Sequence, residues 1–222
     1  MFLLKTIIKK IQKQSQPCMV HIEKNVFLNL ASGKIVYDKD FIFHLKIWID
    51  PAVNIFIGEG TGLNSPFTVR GCGALMIGKY AAIGKEVLVV TSNHLTNFPN
   101  MQVTLQNNLG LASVHGLPET VGIGNATWVG DRVTFLPGSS IGDGCIVGAG
   151  SIVTKQFPAF QVLAGNPARI IRPRFSENII EQLLDIRWWD WSEEKMKRNE
   201  LFFETDLLAT DEISNLGSLI IE

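Results

Sequence analysis

Counting from Ile123 in steps of six, the chain places Ile123, Val129, Phe135, Ile141, Val147 and Val153 at successive stops, all large and apolar. The residue after each is Gly124, Gly130, Leu136, Gly142, Gly148 or Thr154. The fifth member of each hexad is Thr127, Val133, Ser139, Cys145, Ser151 or Phe157, and most of these are small. The same phase fits Ile57, Leu63 and Val69, slips by two residues near Cys72, Gly73 and Ala74, and resumes with Ile77, Ile83 and Val89. With 46% of the residues apolar, chance yields such a series with a probability of roughly 10⁻⁴ before any allowance for phase and slip.

A six-residue period matches neither a heptad nor an alternation of strands and helices. It describes a coil with short flat faces and sharp corners, in which one apolar residue per face points inward. Of the 20 glycines, all but Gly33, Gly165 and Gly217 lie between Gly58 and Gly150, where the chain must turn and successive coils must stack closely. Backbone hydrogen bonds then run from coil to coil as parallel ladders. A glycine-rich antiparallel sandwich would show alternation with period two and hairpin turns instead. The reading is therefore an all-β, parallel β-helix.

The 222 residues suffice for one sizeable domain with a small appendage. Lys plus Arg number 20 and Asp plus Glu 21, a balance that argues against binding nucleic acid through its phosphates. Cys18, Cys72 and Cys145 are too scattered for a metal knuckle or a disulfide framework, and read as reduced thiols of a cytoplasmic protein. At the start, Leu4, Ile7, Ile8 and Ile11 fall at helical spacing between Lys5, Lys9, Lys10 and Lys13. Residues 1–16 are expected to form a short amphipathic helix that packs on its own protein; contact with a membrane surface is the less favoured reading. No cleavage site follows, and no apolar run approaches the ~18 residues of a span.

The segments IGNATWVGDRVTFLPGSSIGDGCIVGAGSIVTK, AGNPARIIRPRF and IIEQLLDIRWWDWSEEKMKRN resemble the hexapeptide-repeat acyltransferases. The likeness covers roughly residues 50–200. It implies a left-handed β-helix, a handedness that the period alone does not give. The last segment is similar to the C-terminal helices of the xenobiotic (chloramphenicol and streptogramin) branch. That branch's Tyr- and Gly-rich opening is missing, and VFLNLASGKIVYDKDFIFHLKIWID stands in its place. The expected organisation is an N-terminal helix at 1–16, the β-helix at 17–173 with an excursion at 95–120, and a C-terminal helical segment with an acidic tail at 174–222. Within that last part, Ser176 is a candidate N-cap, and the apolar spacing from Ile179 to Ile186 predicts helix over 176–199. Trp188, Trp189 and Trp191 are expected to pack this helix onto the prism or a neighbour, and the acidic tail to be solvated or loosely docked.

Between Val89 and Ile123 the hexads stop, and long irregular excursions from compact folds are usually functional. His94 stands at the start of this stretch, where a rigid coil gives way to a loop. The resemblance implies that His94 is the catalytic general base in direct acetyl transfer from acetyl-CoA, taking a proton from an acceptor hydroxyl or amine. It also implies that Trp128 lies along the pantetheine arm, with Ala149 and Thr154 beside it. Lys155, Arg169 and Arg172 would hold the phosphates of coenzyme A. It further implies a homotrimer with sites between subunits. His115, late in the excursion, is either a wall of the acceptor pocket or a solvated loop residue. Asn93 and the amides Asn97, Asn100, Gln102, Gln106, Asn107 and Asn108 suit recognition of many hydroxyls, since neutral amides both donate and accept.

The expected acceptor is therefore a sugar or nucleotide-linked sugar, with an antibiotic as the alternative. No metal is expected. A zinc-dependent carbonic anhydrase on this fold needs three converging histidines, and only His94 and His115 are near the proposed site. A scaffold or ice-binding β-helix is the third class; the hexads carry no regular threonine array, and a scaffold has no use for the excursion. Cys145 sits in the small slot of a hexad, where it packs and is no nucleophile.

Overall fold

The structure is a computed structural model, and it describes residues 20–22, 27–29, 47–49, 53–64, 66–112, 114, 116–208 and 215–221. The helix expected at 1–16 lies outside the described residues. Strands follow one another around three faces. The first coil is β1 (Val20–Ile22), β2 (Phe27–Asn29) and β3 (Ile47–Ile49), and the second is β4 (Asn54–Ile57), β5 (Gly62–Asn64) and β6 (Phe67–Arg70). The third is β7 (Ala74–Ile77), β8 (Ala82–Ile83) and β9 (Val87–Val90), after which the excursion with helix α1 (Val103–Asn108) leaves the prism. The fourth is β10 (Thr120–Ile123), β11 (Trp128–Val129) and β12 (Thr134–Phe135), and the fifth is β13 (Ser140–Ile141), β14 (Ile146–Val147) and β15 (Ile152–Val153). The last turn is β16 (Gln156–Phe157), β17 (Gln161–Gly165) and β18 (Ala168–Pro173).

The strands assemble into three sheets, in the orders β1-β4-β7-β10-β13-β16, β2-β5-β8-β11-β14-β17-β18 and β3-β6-β9-β12-β15. All neighbours are parallel except β17 and β18, which run antiparallel. This is the expected left-handed parallel β-helix.

Register explains the hexads. Ile57, Ile77, Ile123, Ile141 and Phe157 stand above one another in the first sheet. Leu63, Ile83, Val129, Val147 and Leu163 do so in the second, and Val69, Val89, Phe135 and Val153 in the third. All are buried in one continuous core. Truncating one to alanine is expected to cost about 2–5 kcal/mol. The small fifth positions fill the corners, where a buried hydroxyl finds a carbonyl on the spot. Ser139 Oγ donates to Leu136 O at 2.6 Å, Ser151 Oγ to Gly148 O at 2.6 Å, and Thr61 Oγ1 to Gly78 O at 2.7 Å. Cys145 is fully buried, its thiol donates to Pro158 O at 3.1 Å, and burial pushes its pKa up, which disfavours the thiolate.

The corner between the first and second sheets carries the C-terminal cap. Tyr80 and Phe160 take a left-handed backbone there, each with φ of 54°. Their rings lie over the glycines one coil below: a Cβ on Gly60 would stand 2.3 Å from Tyr80, and one on Gly144 the same distance from Phe160. This conformation costs about 1–2 kcal/mol in each aromatic residue, and the packing it permits offsets that cost. Trp188 stacks on Tyr80 with ring centroids 5.4 Å apart, and Phe160, Trp189, Ile179, Leu183, Phe202 and Leu216 form a second core.

The helix expected over 176–199 is not continuous. It divides into α2 (Glu177–Ile186), a 3₁₀ turn at Trp188–Asp190, α3 (Glu193–Arg198) and α4 (Glu200–Glu204). Arg187, with φ of 45°, closes α2, and Ser192 Oγ accepts Lys195 N–H to start α3. The tertiary demand to bury Trp189 and stack Trp188 on Tyr80 overrides the local spacing. The described end of the tail is docked: Asn199 Oδ1 accepts Ile221 N–H at 2.6 Å and its Nδ2 donates to Ile221 O at 3.0 Å, while Leu216 is fully buried. Among the described residues no helix is long and apolar enough to cross a membrane.

Candidate active site

The excursion replaces the corner between the third and first sheets, and its two ends are tied together at the root. Glu119 N–H donates to Thr91 O at 2.9 Å, and Glu119 O accepts Ala74 N–H at 3.0 Å. Thr91 is fully buried; its Oγ1 accepts Gly73 N–H and donates to Arg70 O, both at 3.0 Å. Gly73 is required at this root, because a Cβ there would stand 2.0 Å from Glu119 O.

One step further out, the arms that carry the candidate base are laced to each other. Gly116 N–H donates to Asn93 O at 2.7 Å, and Leu95 N–H donates to Val114 O at 2.9 Å. These two bonds bracket His94, whose side chain is exposed, as is that of Asn93. A loop histidine thus acquires the backbone definition of a short two-stranded ladder. His115 lies outside the described residues.

Thr154 and Lys155 occupy the same edge of the prism as His94, at the corner two coils on, which at 4.7–4.9 Å per coil is about 10 Å along the axis. Both are exposed, and the Lys155 ammonium sits 5.4 Å from the centre of the Phe157 ring. Ala149 is at the corner between the second and third sheets, exposed, against the backbone of Gly130.

Trp128, 58% exposed, projects from the outer face of the second sheet. Its register neighbours on that face are Ala82, Ile146, Val162 and finally Arg172, so Trp128 and Arg172 share one outward column, three strands or about 14 Å apart. Arg169 pairs with Ala164 in the adjacent column, where Gly130 and Gly148 leave the sheet bare. Arg169 donates to Ala168 O at 2.8 Å, and Arg172 to Pro173 O at 2.9 Å and, at 3.5 Å, to Arg174 O; a guanidinium has five N–H donors, so neither is exhausted by these bonds.

The candidates therefore divide. His94, Asn93, Thr154 and Lys155 belong to the edge between the third and first sheets, and Trp128, Arg169 and Arg172 to the second sheet. In a three-sided prism that edge faces away from the second sheet, so one chain does not bring His94 and Trp128 together.

The excursion's amides are partly committed to its own fold. Asn100 Nδ2 donates to Gln102 O and Gln106 Oε1, Asn100 Oδ1 accepts Gln102 N–H, and Gln106 Nε2 donates to Ala112 O. Composition pointed to these residues as hydroxyl readers, and only their placement separates the structural amides from the free ones. Glu119 was not singled out from the sequence; its carboxylate lies over Gly138, at the corner between the His94 and Thr154 levels.

Residues 120–155 match the family model described as bacterial transferase hexapeptide (six repeats). The chain is 36% identical over 146 residues to a probable macrolide acetyltransferase of Lysinibacillus sphaericus, covering 62% of this chain and 78% of that protein. It is 32% identical over 137 residues to a chloramphenicol acetyltransferase of Agrobacterium fabrum, covering 58% of this chain and 65% of that one, just under two thirds of its length. Among solved structures, galactoside acetyltransferase in complex with coenzyme A has the same fold, with a TM-score of 0.51 and 24% identity over 77% of this chain and 78% of that chain.

Proposed function

Because the chain belongs to the bacterial hexapeptide-repeat transferases and is an acetyl-CoA-dependent acetyltransferase, we propose that it moves the acetyl group to a hydroxyl or amine of a sugar or nucleotide-linked sugar, with His94 as general base. The observation that carries this reading is the laced root that holds His94 at the rim of the prism. A base must be held within hydrogen-bond reach of the proton it removes, and a loop pinned by Asn93, Leu95, Val114 and Gly116 meets that need.

The neutral imidazole of His94 takes the proton from the acceptor O–H or N–H as that atom forms a bond to the thioester carbonyl carbon. The tetrahedral intermediate then collapses, the C–S bond breaks, and the proton on His94 passes to the departing thiolate. The products are the acetylated acceptor and free coenzyme A. No group on the chain is acetylated along the way, in keeping with the buried, protonated Cys145.

Trp128, Ala149 and Thr154 line the pantetheine arm, and Lys155, Arg169 and Arg172 hold the phosphates; Asn93 and His115 are the candidate acceptor-binding residues. Since His94 and Trp128 lie on opposite sides of one prism, the working site joins His94 of one copy to Trp128 of the next, in a homotrimer with three sites. The second reading, an antibiotic acceptor, is favoured by the names of the macrolide and chloramphenicol relatives. Thiol release from acetyl-CoA, measured against nucleotide sugars, amino sugars, simple glycosides, chloramphenicol and streptogramins, tests both. Turnover of a sugar supports the first reading. Efficient turnover of an antibiotic with no response to any sugar makes the second the better one.

A further inference from the structure

Acid and base are segregated along this chain. Residues 1–22 contain Lys5, Lys9, Lys10 and Lys13 and neither Asp nor Glu. Residues 199–222 contain Glu200, Glu204, Asp206, Asp211, Glu212 and Glu222 and neither Lys nor Arg. A chain with a net charge of −1 thus keeps one wholly basic and one wholly acidic stretch, each interleaved with large apolar residues.

The acidic stretch carries uncovered apolar surface. Phe202 is buried and fixes α4 to the cap, while Phe203 beside it is 43% exposed. Phe203 stands edge-on to Trp188 and Trp191, with ring centroids 5.3 and 6.2 Å away, and both tryptophans are only half-buried. Glu200 and Glu204, three residues before and one after, share the Phe203 side of α4 and are exposed. The result is an aromatic patch with an acidic border. It belongs to the cap at the corner between the first and second sheets, not to the edge that carries His94.

We infer that residues 1–16 dock on this patch, laying Leu4, Ile7, Ile8 and Ile11 on Phe203 and the two tryptophans while the lysines meet Glu200 and Glu204. The spacing of those four residues gives one apolar stripe on a helix, with lysines on its borders. Stripe and patch match in kind: apolar surface meets apolar surface at the centre, and opposite charges meet at the rim, where they select the partner and its orientation. The reach is sufficient. Strand β1 lies in the first sheet two strands below β7, about 10 Å along the axis, and β7 leads directly into Tyr80, on which Trp188 stacks. Residues 12–19 span up to about 26–29 Å when extended. A lipid surface is the other seat for a basic amphipathic segment, but here the chain holds an acidic counterpart already fixed to the fold.

The test is limited trypsin cleavage of the full-length protein, with the cuts after Lys5, Lys9, Lys10 and Lys13 timed by mass spectrometry. A docked segment is cut only from its open state, so the rate follows the open fraction. Phe203→Gln should speed these cuts by ~10-fold. The double variant Glu200→Gln, Glu204→Gln, which keeps the aromatic packing, should speed them by ~3-fold at low salt and hardly at all near ~1 M salt. Cuts as fast in the wild type as in both variants overturn the inference. So does an effect of Phe203→Gln alone, which would mean only that the cap had loosened. Protection of the segment seen only when the wild type binds phosphatidylserine vesicles places it on a lipid surface, and overturns the inference as well. Protection lost on dilution in step with the oligomer, followed by light scattering, seats the segment on a second copy and does the same.

Discussion

The backbone N–H of Gly116 donates to the carbonyl oxygen of Asn93 across 2.7 Å, and a Cβ on Gly116 would stand 2.3 Å from that same oxygen. The residue just before the candidate base is thus held by a neighbour that has room for no side chain. Gly116→Ala should push the two arms apart and move His94 without unfolding the prism. The expected result is a fall in kcat of about 10- to 100-fold with the melting temperature nearly unchanged. Equal losses of activity and thermal stability would show that the contact serves folding alone.

His94→Ala should lower kcat by ~10²-fold or more with circular dichroism and oligomeric state preserved. Turnover close to wild type in this variant would take the base assignment away.

Removing positive charge at Lys155, Arg169 or Arg172 should raise KM for acetyl-CoA more than it lowers kcat. The phosphates these groups hold keep the same charge from ground state to transition state. Steady-state kinetics with acetyl-CoA varied at saturating acceptor reads this directly, and an effect confined to kcat would contradict it.

The placement of His94 and Trp128 on opposite sides of one prism makes a sharper prediction about assembly. At acetyl-CoA well below saturation, co-expression of His94→Ala with a Trp128→Ala, Arg172→Gln chain should give more activity than either chain has alone. Random mixing in a trimer gives intact sites in about a quarter of cases. Mixtures as inactive as their parents, or a stable and active monomer in light scattering, would refute sites shared between copies.

The cap offers a pH dependence. Asp190 accepts from Lys79 Nζ at 3.0 Å and pairs with Arg187 at 2.9 Å. Slight burial pushes its carboxyl up, but the hydrogen bonds from Lys79 and Arg187 outweigh that and hold its pKa below the ordinary value. A depressed native pKa means the stabilisation is complete above the unfolded value near ~3.9 and is lost as pH falls through the native one. Because Asp190 is half exposed, the effect is about 1 kcal/mol or less. Asp190→Asn should lower the melting temperature slightly at pH 7, and the difference should shrink as pH falls below the ordinary carboxylate range. A gap that widened in acid would reverse the assignment.

The prism was legible because its physics repeats: each inward residue meets the same neighbours one coil up and one coil down, so Ile77, Ile123 and Ile141 answer to one constraint. The excursion was legible as an interruption of that constraint. Its interior was not, since Asn100 and Gln106 fold the loop through contacts that composition does not encode. The break at Arg187 was hidden for a similar reason. The apolar spacing on either side continues at helical period, and the turn answers to Tyr80, more than a hundred residues earlier in the chain. Asn199 reads in sequence as one more polar helix residue, yet it is 1% exposed and pins the chain near Ile221.

A parallel ladder has no natural end, because its last strand offers the next coil the same row of donors and acceptors that the previous strand offered it. Left open, such an edge invites another molecule to continue the stack. Here β18 doubles back on β17 and presents a strand of reversed direction, with Pro173 lacking a donor and Arg169 and Arg172 adding charge. A second copy arriving end-on finds the wrong polarity on this sheet. On this one of the three sheets, simple continuation of the parallel ladder stops where β18 turns back.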